Sequence, residues 1–481
     1  PLAYFLAEIF ILLGFSILLS LKITYILISI FGFWGMYFLA KKITNQWGGL
    51  LASVAFTFAP YHALNLYVRG ALAEYLAIAF FPWVFYFTLE LLAKNTKTNY
   101  LGLTLSLTGL LLAHNISVVT FMAFWGLLSL FLLIAKKQYK SVFILLLSFI
   151  NAFLLAAFFL VPAFLQQNFT RVKTLTEGFS NFAYHFVYLR QLFIPNWGYG
   201  GSIEGLEDDI SFYLGNELLI IAALAFLLLL FNVFVKKRLK LKLVNFLFFA
   251  FLFLLSLFLL SFKSKFIWDK LTILSFIQFP WRFLGIASFI LSLLVAFIAL
   301  LKAKYRWLVF IFAVMIMFLN QPYFTPNKLG DSTIAEDYDP SADYIREKIS
   351  LIIPDYLPQE LDMGKIGPTS QNFRIVDGDF DIETLKDKTQ KLLLKIEATT
   401  SGKLQINRYV FPNWHIKLDN KEINCEIKNS VYICPIEEGE HILDFYWDEK
   451  GVNQIANYLS MLGILLVVFF YLRWDNGKSN E

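Results

Sequence analysis

Arg69 and Glu74 stand between two long apolar runs, in the segment LYVRGALAE at residues 66–74. The pattern predicts that a helix begins near Ala71, which puts Glu74 in its first turn, where the helix dipole favours a carboxylate. Arg69 precedes that turn and can reach a phosphate in a lipid headgroup. The pair is therefore a candidate functional site that can bind a phosphate; the alternative is a capping charge and an interfacial anchor.

Other polar side chains occur at the ends of apolar runs, on the same predicted side of the membrane. Ionisable groups near a bilayer are costly, which makes each of them a candidate for function. The candidates for substrate binding are His62, Tyr67, His114, Asn115, Trp281 and Arg282.

Several of these residues have a structural alternative. His114, in the tight turn LLAHNIS, is more often a hydrogen-bonding residue than a catalytic base. Trp281 is typical of the aromatic belt at a membrane interface, and Arg282 can extend its charged head towards water. An acidic triple at residues 207–209 is typical of a solvated loop face.

The composition predicts a polytopic membrane protein. Of 481 residues, 58% are hydrophobic and 16% are charged, whereas soluble domains have about 25% charged residues. Several apolar runs are long enough to cross about 30 Å of hydrocarbon. The candidate spans are 23–40, 47–60, 71–93, 99–113, 116–135, 141–165, 214–235, 243–262, 283–302, 306–320 and 455–474.

Basic clusters fall at every second connection, which is the positive-inside pattern of a multi-pass protein of the cytoplasmic membrane. This pattern places the loop 166–213 and the segment 321–454 outside the cytoplasm, and the tail 475–481 inside. The orientation of residues 2–20 stays open between a span and an interfacial helix. Residue 1 is proline and no charged region precedes the first apolar run. We therefore expect a missing upstream segment rather than a signal peptide.

Segment 321–454 has the composition of a soluble domain, because charged residues are frequent in it. A helical stretch is predicted near SADYIREKIS at 341–350. From about residue 390, alternating apolar residues predict the short strands of a β-sandwich. A final transmembrane helix is predicted at 455–474.

Cys425 and Cys434 are predicted to form a disulfide. If Asn429 and Ser430 make a two-residue turn, the cysteines lie opposite each other at a non-hydrogen-bonded pair, where side chains approach most closely. A domain outside the cytoplasm permits the bond, and the alternative is two buried free thiols. The other residues on this face of the hairpin are expected to face a core; they are Ile423, Ile427, Tyr432 and Ile436.

Several functional classes are disfavoured by the sequence. The net charge is +5, but the basic residues do not form one patch, so no nucleic-acid partner is expected. No nucleotide-binding glycine loop, HExxH or CxxC motif occurs, and the five histidines are scattered. These features argue against an ATP-driven pump and against a zinc site. Span centres that are nearly free of charge argue against a solute transporter.

The segments LYVRGALAEYLAIAFFPWVFYF, LAHN and IQFPWRFLG resemble those of bacterial and archaeal membrane proteins called 6-pyruvoyl-tetrahydropterin synthase-related. That name describes membrane proteins and not the soluble pterin enzyme, whose zinc-binding histidine pattern is absent from this sequence. The family is similar to the GT-C superfamily of membrane glycosyltransferases, which use polyprenyl-phosphate-linked sugars. The segments RYVFPNWHIKLDNKEI and EEGEHILDFYW resemble the external β-domain of YfhO-type proteins.

The resemblance implies a fold and an activity. The fold is a polytopic α-helical, GT-C-like transmembrane domain over 1–320, followed by an external β-sandwich domain and a final helix, with about 11–12 spans in all. The implied activity is transfer of a sugar from a polyprenyl-phosphate donor to an acceptor outside the cytoplasm, in contact with membrane lipids. The alternative is a non-catalytic protein of the same fold that binds or moves a lipid-linked glycan.

The resemblance also implies roles for individual residues. In GT-C enzymes an acidic residue of the first external loop serves as base or metal ligand, and that loop would precede Pro1. A second acidic position follows a basic residue at the start of a later span, and Glu74 and Arg69 match it in place and spacing. Glu74 is therefore expected to deprotonate the acceptor hydroxyl. Arg69, Arg282 or a divalent cation is expected to neutralise the donor phosphate.

Overall fold

A computed structural model describes residues 1–327, 354–362 and 372–473. The helical stretch predicted near 341–350 lies outside these residues. The chain divides into two compact units. The first unit comprises Pro1–Ala156, Thr176–Lys328 and Leu459–Glu481, and the second comprises Ala157–Leu175 and Leu329–Tyr458.

The first unit is built from α-helices joined by short turns and 3₁₀ segments. Its helices, numbered in chain order together with one helix of the second unit (α9) and one that begins there (α15), are α1 Leu2–Leu12, α2 Ile17–Ile43, α3 Gln46–Thr57, α4 Pro60–Ala63, α5 Leu72–Ala93, α6 Lys97–Ala113, α7 Asn115–Ala135, α8 Val142–Leu155, α9 Ala157–Leu165, α10 Asn216–Phe234, α11 Lys240–Leu260, α12 Lys265–Lys270, α13 Leu284–Ala296, α14 Trp307–Asn320 and α15 Val452–Arg473.

Seven helices of the described chain are long and apolar enough to cross a membrane, or up to eight if α8 and α9 are counted as one broken span. Three other predicted spans are helices of fewer than 18 residues, and the predicted span 99–113 is the 17-residue helix α6. The predicted span 47–60 is the 12-residue helix α3, and the predicted span 306–320 is the 14-residue helix α14. The chain is thus a mostly helical membrane protein, with fewer full-length spans than the hydropathy pattern predicts.

Two predicted segments are divided by breaks in the helix. Residues 2–20 do not form one helix, because α1 ends at Leu12 and Ser16 caps the start of α2. Gly14, between them, has a φ of +92°, a conformation that side chains other than glycine rarely adopt. The predicted span 141–165 is interrupted at Ala156.

Helix α13 is the centre of the first unit. Every residue from Leu284 to Ala296 is buried, and α13 packs against α3, α10 and α11. A helix that is apolar on all sides is typical of a membrane span or of a protein interior, and other helices surround this one. The turn that precedes this helix, Pro280–Phe283, is therefore held at a fixed place in the bundle.

The second unit contains a two-sheet β region. Its strands are β1 Phe373–Asp377, β2 Phe380–Lys388, β3 Lys391–Ala398, β4 Gly402–Tyr409, β5 Trp414–Leu418, β6 Lys421–Glu422, β7 Glu426–Lys428, β8 Val431–Ile436 and β9 Gly439–Trp447. One sheet has the order β1-β4-β8-β7 and the other β2-β3-β9-β5-β6. Buried residues of both sheets form a single core, with Leu404 and Ile406 from the first sheet and Leu392 and Leu443 from the second.

The β7–β8 hairpin has the predicted register, with Ile427 opposite Tyr432 and Lys428 opposite Val431. Asn429 and Ser430 both have positive φ values, of 50° and 59°, as a tight two-residue hairpin turn requires. Cys425 and Cys434 form the next residue pair after Glu426 and Ile433. They are joined in a disulfide, with their Cα atoms 4.3 Å apart.

Two expectations for this unit are wrong. Ile427 is 55% exposed and is not buried in the core, because β7 is an edge strand whose three residues are all exposed. The β region begins at Phe373 rather than near residue 390. Strands β1 and β2 lie at sheet edges and are largely exposed, so they lack the alternating apolar pattern that marks β3.

We predict that Gly463 is required for the packing of α15 against α8. A Cβ atom at Gly463 would lie 2.9 Å from the backbone nitrogen of Leu155, whereas one at Gly126 would contact nothing within 4 Å. Replacing a helical glycine by alanine normally stabilises by about 0.5–1 kcal/mol. We expect Gly463→Ala to lower the thermal unfolding midpoint in detergent and Gly126→Ala to preserve or raise it. Equal midpoints would contradict the close packing.

Candidate functional site

The segment that carries Arg69 is a π-helix. Leu64–Val68 continues from the short helix α4 with a wider turn, closed by the hydrogen bond from the Arg69 nitrogen to the Leu64 carbonyl oxygen (2.9 Å). Such turns occur mostly as single insertions and are frequent at functional sites. Gly70 follows with a φ of +58°, and α5 then begins at Leu72.

Glu74 lies in the first turn of α5 and is buried, with 4% of its side chain exposed. Its Oε1 accepts a hydrogen bond from the Tyr61 hydroxyl at 2.6 Å. Its Oε2 lies 3.0 Å from Arg69 Nη2 and 3.5 Å from Arg282 Nε. The longer distance exceeds the usual hydrogen-bond range, so Arg282 attracts the carboxylate by charge rather than by a hydrogen bond.

Arg282 precedes the central helix α13. Its Nη1 donates to the Ile277 carbonyl oxygen (2.7 Å) and to Gln278 Oε1 (3.0 Å). Its guanidinium also lies 5.0 Å from the centre of the Phe279 ring, within the range of a cation–π interaction. These contacts hold the Arg282 side chain on the protein, where 11% of it is exposed.

Arg69 has a second aromatic partner in Trp281. The guanidinium lies 4.6 Å from the centre of the Trp281 ring, and Arg69 Nη1 also donates to Asn65 Oδ1. Trp281 is buried, and its Nε1 donates to Ser202 Oγ at 3.0 Å. Ser202 in turn lies 2.8 Å from His185 Nδ1. We call the cluster of Arg69, Glu74 and Arg282 the arginine site. Trp281 thereby connects the loop before α10 to this site.

The site carries more positive than negative charge. Among the described residues, Glu74 is the single carboxylate paired with Arg69 and Arg282. Burial lowers the pKa of His114 to about 4, so this nearby imidazole is neutral at pH 7. Burial likewise raises the pKa of Tyr61 well above its usual value of 10, so the phenol keeps its proton. Two guanidinium groups and one carboxylate leave one unit of positive charge.

The N-terminal ends of three helices, α5, α7 and α13, lie around this excess positive charge. Glu74 lies in the first turn of α5, and Arg282 lies in the turn before α13. His114 caps the start of α7, with its Nδ1 2.8 Å from the Ser117 hydroxyl, and α7 packs against α5 and against the turn Pro280–Phe283. Helix N-termini carry partial positive charge and favour anions. The arrangement is suited to binding an anion such as phosphate.

Three predicted residues lie outside this charge cluster. His62 is buried against the rings of Phe56 and Tyr75, neither of its ring nitrogens has a hydrogen-bond partner among the described residues, and burial lowers its pKa to about 3. Tyr67 is 40% exposed and contacts the Phe324 ring. Asn115 is exposed at the start of α7.

The structure buries several polar residues that the sequence pattern does not mark as buried. Tyr61 lies in α4 and Asn65 in the π-helix, and these helical turns direct them to Glu74 and Arg69 respectively. Asp208 belongs to the acidic triple expected to be solvated, yet it is 5% exposed. Glu217 is buried in the first turn of α10, where it accepts a hydrogen bond from Asn320 at 2.7 Å.

Metal ligation is not evident around Glu74. Among residues 1–327, 354–362 and 372–473, no group of three or more histidine, cysteine, aspartate or glutamate side chains is arranged to hold a metal ion. The groups that face the carboxylate are the guanidiniums of Arg69 and Arg282 and the phenol of Tyr61. These groups are what the described residues offer to an anionic ligand.

Comparison with known proteins defines the family. Residues 1–325, which contain the whole arginine site, match the model of the 6-pyruvoyl-tetrahydropterin synthase related domain, described as a membrane protein. The chain belongs to this family. It is also 33% identical over 155 residues to an uncharacterized protein of Lactococcus lactis subsp. cremoris (strain MG1363). The aligned region covers 31% of this chain and 25% of the relative, and no solved structure matches the chain significantly.

We predict that Glu74 makes the two arginines compatible with burial. Removing one partner of a buried ion pair typically costs about 3–5 kcal/mol, because the remaining charge is uncompensated. We expect Glu74→Gln, which keeps an acceptor for Tyr61, to lower the thermal unfolding midpoint of the detergent-solubilised protein.

A double-mutant cycle separates charge from packing in this prediction. Glu74→Gln should cost less in the Arg282→Met background, where one of the two positive charges is already gone. If Glu74→Gln is equally destabilising in both backgrounds, the carboxylate does not balance Arg282.

Proposed function

We propose that this chain is a membrane glycosyltransferase that takes a sugar from a polyprenyl-phosphate donor and transfers it to an acceptor outside the cytoplasm. The observation that supports the proposal is the buried site in which Arg69 and Arg282 share the single carboxylate of Glu74. The site carries one unit of excess positive charge and lies at the starts of three helices. The resemblance to GT-C enzymes supplies the class of donor.

The charges balance before the reaction. A sugar joined to a polyprenyl phosphate makes the phosphate a diester, which carries one negative charge. That charge equals the excess positive charge of Arg69, Arg282 and Glu74, so the loaded site is electrically neutral. Guanidinium groups suit this ligand, because their planar donors match phosphate oxygens.

The charges also balance after the reaction. The bond between the anomeric carbon and the phosphate oxygen breaks, and a bond from that carbon to the acceptor oxygen forms. The phosphate leaves as a monoester, whose charge approaches two at neutral pH, and the acceptor proton passes to Glu74. Two guanidiniums then face the doubly charged phosphate beside a neutral carboxyl. No charge has to leave the site during the transfer.

The role of Glu74 as base requires one of its ion pairs to open. In the structure Oε2 is shared by both arginines and Oε1 accepts from Tyr61, and such partners make a carboxylate a weak base. The donor phosphate competes for the guanidiniums and thereby frees Oε2. Donor binding then activates Glu74, which ties proton transfer to the presence of substrate.

A second candidate function is favoured by the same contacts. Oε1 of Glu74 accepts from Tyr61 and Oε2 is paired with both arginines, and these contacts hold the guanidiniums in place without any proton transfer. A non-catalytic protein that binds or moves a lipid-linked glycan would use Arg69 and Arg282 in the same way, with Glu74 only positioning them.

Binding and turnover separate the two candidates. We expect Arg69→Ala and Arg282→Ala, in full-length protein in nanodiscs, each to weaken binding of undecaprenyl phosphate about tenfold or more, since a hydrogen bond to a charged group contributes about 1.5–3 kcal/mol. Arg306→Ala is the matched control, because Arg306 is exposed before α14. Unchanged binding in both site variants would refute the phosphate site.

Glu74→Gln distinguishes a transferase from a binder. The substitution raises the excess charge of the site from one to two, so undecaprenyl phosphate should bind at least as tightly as in the unmodified protein. With labelled undecaprenyl-phosphate glucose and native membranes as acceptor, the unmodified protein should release undecaprenyl phosphate and Glu74→Gln should not. Binding without release by the unmodified protein favours the non-catalytic candidate.

We also propose that the site and the β region face the outside of the cytoplasmic membrane. The basic clusters at alternate connections and the disulfide between Cys425 and Cys434 support this orientation.

Cysteine labelling tests the orientation. The described residues contain no free cysteine, so an introduced thiol reports without background. We expect a cysteine at Asn115 to react with an impermeant maleimide applied to intact cells, and a cysteine at Thr96, at the opposite end of α6, to react after permeabilisation alone. The reverse pattern would place the arginine site in the cytoplasm.

A further inference from the structure

A cavity of about 210 Å³ lies in the loop before α10, and neither Arg69 nor Arg282 lines it. Its lining residues come from two parts of this loop, 190–196 and 206–212. At about 30 Å³ for each molecule of liquid water, its volume is that of roughly seven waters, which is the space of one sugar ring with its hydroxyl groups.

The polar wall of the cavity is built around Asp208. Its Oδ2 accepts a hydrogen bond from Gln191 Nε2 at 2.6 Å, and its Oδ1 accepts from the Ile203 nitrogen at 2.9 Å. Each carboxylate oxygen retains a second lone pair for a ligand. Asn196 is fixed by donating to the Asp208 carbonyl oxygen, and the exposed Arg190 stands at the rim.

The remaining wall is apolar. Phe212 and Ile210 are buried, and Leu206 is 49% exposed at the opening. The cavity thus presents hydrogen-bonding groups on one side and a ring and aliphatic surface on the other. A sugar has the same two surfaces, because its hydroxyls project from the ring edge and its C–H groups form an apolar face. A buried carboxylate disfavours a phosphate in this cavity.

Two successive aromatic rings, those of Phe212 and Trp281, connect the cavity to Arg69. The rings of Phe212 and Trp281 have centroids 6.2 Å apart, and the Arg69 guanidinium lies 4.6 Å from the Trp281 ring centre. Trp281 also donates to Ser202, in the same loop as the cavity. A ligand bound beside Phe212 is thereby linked to a phosphate bound by Arg69 through the Phe212 and Trp281 rings.

From this arrangement we infer that the cavity of Asp208, Asn196, Leu206 and Phe212 binds one neutral sugar ring beside the phosphate site. The inference rests on the proposed function and extends it to the carbohydrate. The ring belongs either to the lipid-linked donor or to a glycan acceptor. Both have the same recognition chemistry, and a competition experiment distinguishes them.

The experiment uses full-length protein in nanodiscs and saturation-transfer NMR with a panel of methyl glycosides of glucose, galactose, mannose and N-acetylglucosamine at millimolar concentration. Leu206→Trp fills the opening of the cavity. Leu189→Trp is the matched control, because Leu189 is a 66% exposed leucine of the same loop that does not line the cavity. Undecaprenyl phosphate binding is measured on every variant and reports both folding and the arginine site.

We expect the unmodified protein and Leu189→Trp to bind at least one glycoside, and Leu206→Trp to bind it at least tenfold more weakly with unchanged undecaprenyl phosphate binding. Failure of the unmodified protein to bind any glycoside, or equal binding by the two tryptophan variants, overturns the inference. Undecaprenyl phosphate binding by the unmodified protein tests the proposed phosphate site separately from the sugar cavity.

The source of the sugar follows from competition. If undecaprenyl-phosphate glucose displaces the bound glycoside but undecaprenyl phosphate does not, the cavity holds the sugar of the donor. If the glycoside and the lipid-linked sugar bind together, the cavity holds the acceptor. Both results support a sugar site, because each requires the glycoside to occupy the cavity.

Discussion

The carboxylate of Glu74 is the interaction on which this site depends. A guanidinium taken out of water is costly unless an opposite charge compensates it, and two guanidiniums lie beside this one carboxylate. Their attraction joins the π-helix segment to the start of α5 and to the turn before α13. Because one carboxylate cannot compensate both cations fully, the same interaction that assembles the site leaves it attractive to an anion.

The sequence was informative where function and structure depend on local spacing. Long apolar runs identified a membrane protein, and Arg69, Glu74, Trp281 and Arg282 were recognised because charge is rare beside such runs. Their meeting across more than 200 residues did not follow from spacing. The β7–β8 hairpin register was predictable, since a two-residue turn fixes which residues face each other.

The sequence was uninformative where tertiary packing decides. Tyr61 looks like any interfacial tyrosine until α4 and the π-helix turn it towards Glu74. Asp208 sits among acidic residues, and what buries it is the fold of its own loop around Gln191 and Ile203. Ile427 fits the alternating pattern of a core strand, but its strand lies at a sheet edge. Edge position and loop burial are properties of the assembled protein.

The π-helix of Leu64–Val68 sets the angular position of Arg69. A π turn holds one residue more than an α turn, and each residue of an α-helix rotates the chain by about 100°. Without that extra residue, Arg69 would face a different side of the segment, away from both Glu74 and the Trp281 ring. The length of this short segment is therefore a constraint on the site in addition to the identity of its charged residues.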